Sequence, residues 1–221
     1  MSTKSGLEDI WPLSPLQEGL LFQSQLDEGG PDVYNVQVAI DLDGALDPSG
    51  LRAAAAALLR RHPNLRSAFR RRKSGQAVAL IPKEAEAPWR DADLFGADEA
   101  ERARELDRLA AAERAARFDP ARPPLLRFLL VRLGAERHRL VLTHHHILLD
   151  GWSLPLLVRE LFALHAAGGD PDGLARPAPY RDHLAWLQRR DRPAAEAAWR
   201  AALAGVESPT RLAPTAAPAG R

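Results

Sequence analysis

The chain has 221 residues, with 30 lysines and arginines against 29 aspartates and glutamates, a formal net charge of +1, and no cysteine. That balance gives no electrostatic ground for nucleic acid or a membrane surface as partner, and the missing thiols exclude disulfides, cysteine nucleophiles and cysteine-ligated metals. Met1 to Asp9 is polar and mixed in charge, without the apolar stretch of a signal peptide, and no segment approaches about 18 consecutive apolar residues, so a cytoplasmic protein is expected.

A helix is predicted from Ser14 to Leu26. Ser14 suits the cap, Pro15 the first helical position, and Gln17 completes a capping box, while Gly29-Gly30-Pro31 ends the element. Val36, Val38, Ile40 and Leu42 then alternate with Asn35, Gln37, Ala39 and Asp41, the period of two of a strand with one apolar face. Asp43-Gly44 turns the chain. Asp47-Pro48 starts a helix in which Leu51, Leu58 and Leu59 share a face, and Pro63 stops it. Short strands are expected at Leu65 to Phe69 and Val78 to Ile81, joined by a basic turn through Lys73-Ser74-Gly75.

Glu99 to Ala116 is rich in Ala, Glu, Arg and Leu and is predicted helical; Phe118-Asp119-Pro120 and Pro123-Pro124 break it. Leu125 to Leu133 is apolar on both faces apart from Arg127 and Arg132, which suits a central strand. Gly134-Ala135-Glu136 turns it into a second buried strand, Arg139 to Thr143. Ser153 to Ala167, Tyr180 to Arg190 and Ala194 to Ala204 read as three further helices, and the Pro/Ala-rich run from Glu207 as a flexible end. Strands and helices mixed in this order indicate an α+β fold. Arg70-Arg71-Arg72-Lys73 reads as a solvated basic turn, and Trp152, Trp186 and Trp199 as core or interface anchors.

The run His144-His145-His146 invites a metal reading, which geometry opposes. On a strand successive side chains point to opposite faces, and no His-Glu-x-x-His spacing or cysteine ligand is present. A general base fits better, because imidazole titrates near neutrality and His146 stands at the end of a buried strand, before a turn through Asp150-Gly151. Asp150 could orient the imidazole or pair with an arginine, and Gly151 could allow a backbone shape or a close approach that a side chain would block. From the residues alone an equal alternative stands: satisfied polar histidines in a strand-to-helix turn, with Asp150 capping the helix near Ser153.

The order His145-His146-Ile147-Leu148-Leu149-Asp150-Gly151 resembles the His-His-x-x-x-Asp-Gly signature of nonribosomal peptide synthetase condensation domains, shared more loosely with chloramphenicol acetyltransferase-like acyltransferases. Trp11-Pro12-Leu13-Ser14-Pro15-Leu16-Gln17-Glu18-Gly19-Leu20 resembles that family's first core motif. Arg61-His62-Pro63-Asn64-Leu65-Arg66-Ser67 resembles its second, with Ser67 in place of threonine. Pro179-Tyr180-Arg181-Asp182 through Trp186, and then Trp199, resemble the stretch after the histidine motif.

The resemblance implies a chloramphenicol acetyltransferase-like sandwich lobe with a mixed sheet and packed helices. It implies residues 1–175 as the N-terminal lobe, 176–206 as the helical start of a second lobe that is otherwise absent, and 207–221 as the flexible end. It also implies an amide-forming reaction between substrates tethered by phosphopantetheine to donor and acceptor carrier proteins, with no cofactor or metal bound by the chain itself. His146 carries over as the catalytic residue, acting as base or positioning the amine. His145, Asp150 and Gly151 carry over as supporting residues, with Asp150 paired to Arg61 or, second, Arg66. Family members are longer, so the chain is expected to hold His146 without a complete channel. The Pro15-to-Gly19 wording and Asp150-Gly151-Trp152-Ser153-Leu154-Pro155 look most like members that accept a D-configured donor. A non-catalytic carrier-binding module and an acyltransferase acting on a hydroxyl are the alternatives.

Overall fold

The computed structural model describes residues 6–26, 32–208 and 210, in two units, Met1–Leu184 and Ala185–Arg221. The first unit holds seven strands in two sheets. After β1 (Leu7–Pro12), α1 (Pro15–Leu26) opens with the expected capping box. The Ser14 amide donates to Gln17 Oε1 at 3.0 Å, and the Gln17 amide donates to Ser14 Oγ at 3.2 Å. The expected stop at Gly29-Gly30-Pro31 lies outside the described residues.

β2 (Asn35–Asp43) is the alternating strand, and α2 (Pro48–Arg61) follows with Asp47 accepting from the Ser49 amide at its cap. Leu51, Leu58 and Leu59 share one fully buried face of α2. The strand expected at Leu65–Phe69 is not formed as such. Pro63–Arg66 winds into a short 3₁₀ turn, with Leu65 N–H bonded to His62 O and Ser67 N–H to Asn64 O, and only then does β3 (Ala68–Arg71) begin. Pro63 presets the tight turn, a local constraint that outweighs the β preference of the residues after it.

β4 (Ala77–Pro82) lies between β1 and β3, antiparallel to both. β5 (Trp89–Asp93) pairs parallel to β6 (Leu126–Arg132), which forms a hairpin with β7 (Arg137–His145); β7 in turn pairs with β2, giving the order β2-β7-β6-β5. At the hairpin the Leu133 and Gly134 amides both donate to Arg137 O.

Helices cover both faces of this mixed sheet. Phe128, Leu130, Leu140 and Leu142 join a cluster with Leu51, Leu58 and Leu59 of α2 and Leu157, Leu161 and Leu164 of α4 (Ser153–Ala166). On the other face Leu129, Val131 and Val141 pack under Leu106 and Leu109 of α3 (Glu99–Ala115). Sides covered in this way explain why β6, apart from Arg127 and Arg132, and the core of β7 are apolar, each buried leucine or valine contributing about 1.5–3 kcal/mol.

The first unit ends within α5 (Tyr180–Gln188). The second contains α6 (Arg192–Ala202), which has no buried residue. Trp152, Trp186 and Trp199 are 88%, 43% and 67% exposed, so within this chain none of them is a core anchor. Among the described residues no helix is long and apolar enough to cross a membrane. Apart from 207, 208 and 210, the Pro/Ala-rich end lies outside the described residues.

Candidate active site

Strand β7 ends in the histidines, and its pleat separates them. Leu140, Leu142 and His144 belong to the α2/α4 side, whereas Val141, Thr143 and His145 belong to the α3 side. His144 and His145 are 1% and 0% exposed, and His146, just beyond the strand, is half-buried. Among the described residues no three His, Cys, Asp or Glu side chains gather closely enough to hold a metal ion.

Hydrogen bonds assign the proton on each ring. His144 Nδ1 lies 3.2 Å from the His145 carbonyl oxygen, which only accepts, so Nδ1 carries the proton. His145 Nδ1 accepts from the Ile147 amide at 3.1 Å, so its proton sits on Nε2, 3.6 Å from Asp32 Oδ2. His146 Nδ1 lies 2.7 Å from the Leu149 carbonyl oxygen and donates to it, which leaves Nε2 as the lone pair of the neutral ring. Burial pushes the pKa of both His144 and His145 below the ordinary 6.5; the Asp32 carboxylate opposes that shift at His145, and the neighbouring His146 adds to it.

The backbone around His146 is held from two other elements. Its amide donates to Tyr34 O at 2.8 Å, at the entry to β2. Gln17 of α1, already a cap residue, donates from Nε2 to Ile147 O at 3.1 Å. The first sequence motif is thus tied to the histidine motif through one buried side chain. Neither this clamp nor Asp32 was legible in the sequence. The capping pattern accounted for Gln17, and Asp32 lies in no motif.

Asp150 does not pair with Arg61 or Arg66. It is exposed at the start of α4, where Oδ1 accepts from the Ser153 amide at 2.8 Å and the Trp152 amide at 3.2 Å. The Ser153 hydroxyl and then these amides hold its carboxyl below the usual carboxylate range, against a smaller cost of burial. Both arginines are satisfied elsewhere. Arg61 Nε reaches Glu160 at 2.9 Å, which also binds His62 Nε2 at 2.7 Å, and its terminal nitrogen donates to Ala175 O. Arg66, buried at the end of the 3₁₀ turn, donates to Glu8, Pro82 O, Leu59 O and Arg60 O.

Gly151 has no positive φ, and nothing lies within 4 Å of where a Cβ would stand, so neither expected reason for glycine operates within this chain. A cavity of about 480 Å³ lies between Trp11, Arg60, His62, Asn64 and Tyr180; none of the three histidines lines it.

Comparison with known proteins places this geometry. The model of the condensation domain family matches residues 7–221. A linear gramicidin synthase of Brevibacillus parabrevis is 36% identical over 209 residues, covering 94% of this chain and 4% of that protein. Bacitracin synthase 1 of Bacillus licheniformis is 32% identical over 208 residues, covering 93% and 4%. Among solved structures, the SgcC5 protein of Streptomyces globisporus superposes with a TM-score of 0.71 at 30% identity, over 88% of this chain and 46% of that one. The first condensation domain of the calcium-dependent antibiotic synthetase superposes with a TM-score of 0.68 at 27% identity, over 88% and 44%. The chain therefore spans a small part of the synthases it matches and a little under half of these solved relatives. With a match running from residue 7 to residue 221, the chain belongs to the condensation domain family.

Proposed function

We propose that the chain is the histidine-bearing lobe of an enzyme that forms a peptide bond between two carrier-protein-tethered substrates, with His146 as its catalytic residue. One observation carries the reading: the ring of His146, just past the end of β7, donates through Nδ1 to Leu149 O, which leaves Nε2 as the accepting nitrogen of the neutral ring. In this reaction the amine nitrogen of the acceptor attacks the thioester carbonyl carbon of the donor. A C–N bond forms and the C–S bond breaks. The proton lost by the amine passes to His146 Nε2 and on to the departing phosphopantetheine thiolate. Hydrogen bonding of the amine to the same lone pair orients it for attack. The segments 1–175 and 176–206 serve as the lobe and the lead into a second lobe, and the two carrier proteins are the partners. The wording of the first and third motifs supports a D-configured donor.

The test is His146→Ala in a polypeptide that includes the second lobe, supplied with loaded donor and acceptor carrier proteins. Peptide product is expected to fall about 10²–10⁴-fold with carrier binding unchanged. Product at the parent rate would refute the assignment. A hydroxyl acceptor offered in parallel, if preferred over the amine, would replace amide formation with ester formation.

A further inference from the structure

Asp32 belongs to none of the motifs, yet both of its carboxylate oxygens face the backbone and ring that surround His146. Its side chain is 3% exposed and the His145 side chain 0%. Oδ1 accepts from the Tyr34 amide at 3.0 Å, and the Tyr34 carbonyl in turn accepts from the His146 amide at 2.8 Å. Oδ2 faces His145 Nε2 at 3.6 Å, an ion-pair distance, and that nitrogen has no hydrogen-bond partner among the described residues. Across that ring, Nδ1 receives the Ile147 amide. The Tyr34 ring lies against it, centroid to centroid 6.1 Å, and His144, His146 and the Arg117 guanidinium are the other charged or titratable groups that interact with it.

We infer that Asp32 is the positioning residue of this site: its carboxylate holds the His145 proton on Nε2, frees Nδ1 to anchor Ile147, and so fixes the loop that carries His146. The assignment rests on the reading of His146 given above. An imidazole bearing a single proton can accept at Nδ1 only while that proton is on Nε2. In a dry interior two neighbours select that form, the Ile147 amide facing Nδ1 and an acceptor opposite Nε2, and Asp32 is the acceptor found there. The same side chain therefore grips the loop twice, through the ring of His145 on one side and through the Tyr34 backbone on the other.

The test uses the full 221-residue chain with nitrogen-15 labelling and needs no substrate. Ring correlation spectra report the His145 tautomer, and hydrogen exchange reports the Ile147 amide against Val141 in the middle of β7. The parent and Asp32→Asn, which keeps an acceptor opposite Nε2, are expected to show a single Nε2–H form. Asp32→Ala is expected to lose that single form and to raise Ile147 exchange at least about tenfold, with Val141 unchanged. If Asp32→Ala does not fold, Asp32→Asn still decides, because loss of the carboxylate must make His145 protonate at a lower pH than in the parent. A parent ring protonated on Nδ1, an unchanged tautomer and exchange rate in Asp32→Ala, or an unchanged His145 titration in Asp32→Asn would each overturn the assignment. These readouts stand apart from product formation, so they can fail while the His146→Ala result holds, and the reverse.

Discussion

Asp150→Ala separates two accounts of the third motif. If the carboxylate were one half of a buried ion pair, its removal would strand an arginine and cost about 3–5 kcal/mol. In the structure Asp150 is exposed and caps α4 through the Ser153 and Trp152 amides, while Arg61 and Arg66 keep all their partners when it is removed. Loss of such a cap costs about 1 kcal/mol, within a range of roughly 0.5–2. For a chain of this size that lowers the melting temperature by about 2–4 °C, against about 6 °C or more for a broken buried pair. Asp150→Asn, which keeps the accepting oxygen, should lie within a few tenths of a kcal/mol of the parent, about the spread among good cap residues. Urea denaturation and thermal melting of the 221-residue chain measure both. A loss above about 3 kcal/mol in Asp150→Ala, with Asp150→Asn equally damaged, would show that the capping account is wrong.

Two other outcomes follow from the same site. His144 and His145 have pKa values lowered by burial, so the folded chain binds fewer protons than the unfolded chain as pH falls through the ordinary 6.5. Their stabilising contribution is complete above that value and is lost below it, at up to about 1.4 kcal/mol per pH unit for each ring; a urea midpoint unchanged between about pH 7.5 and about pH 5.5 would contradict this. Gln17 has two separable duties, and Gln17→Glu keeps the cap acceptor while removing the donor to Ile147 O. That variant is expected to lose about 1–3 kcal/mol, because a buried carbonyl is left without its partner, and chemical denaturation beside Gln17→Ala shows whether the cap or the clamp carries the larger share.

Much of the first unit was legible because its signals are local. Ser14 and Gln17, Asp47-Pro48, the alternation from Val36 to Leu42 and the doubly apolar Leu125–Leu133 each announce an element through a few neighbouring residues. β1 and β5 were not announced. Trp89–Asp93 is largely polar because it is an edge strand, held by its parallel partner β6 and by Arg90 reaching the buried Glu113. At the site, His145, His146 and Asp150 stood out by their order, and the capping role of Asp150 was one of three readings the residues allowed. What stayed hidden is tertiary: the arginines choose Glu160 and Glu8, and Asp32 meets His145 from far back along the chain. Spacing within a motif carries no information about such partners.

The pairing of β2 with β7 makes the site a matter of parity. Nine consecutive residue pairs, from Asn35 with His145 to Asp43 with Arg137, must be in step before Tyr34 can meet the His146 amide. A slip of one position along β7 would exchange the faces of His144 and His145 and turn the ring meant for Asp32 into the opposite layer. A single-residue insertion or deletion within β7 is therefore an inversion of the site, whereas one in the Gly134–Glu136 turn is only a change of loop length. The two strands are also separated by about a hundred residues of sequence, so their union is an entropically expensive closure. Until it happens the chain can possess its helices and its hairpin and still lack the bond from the His146 amide to Tyr34 O.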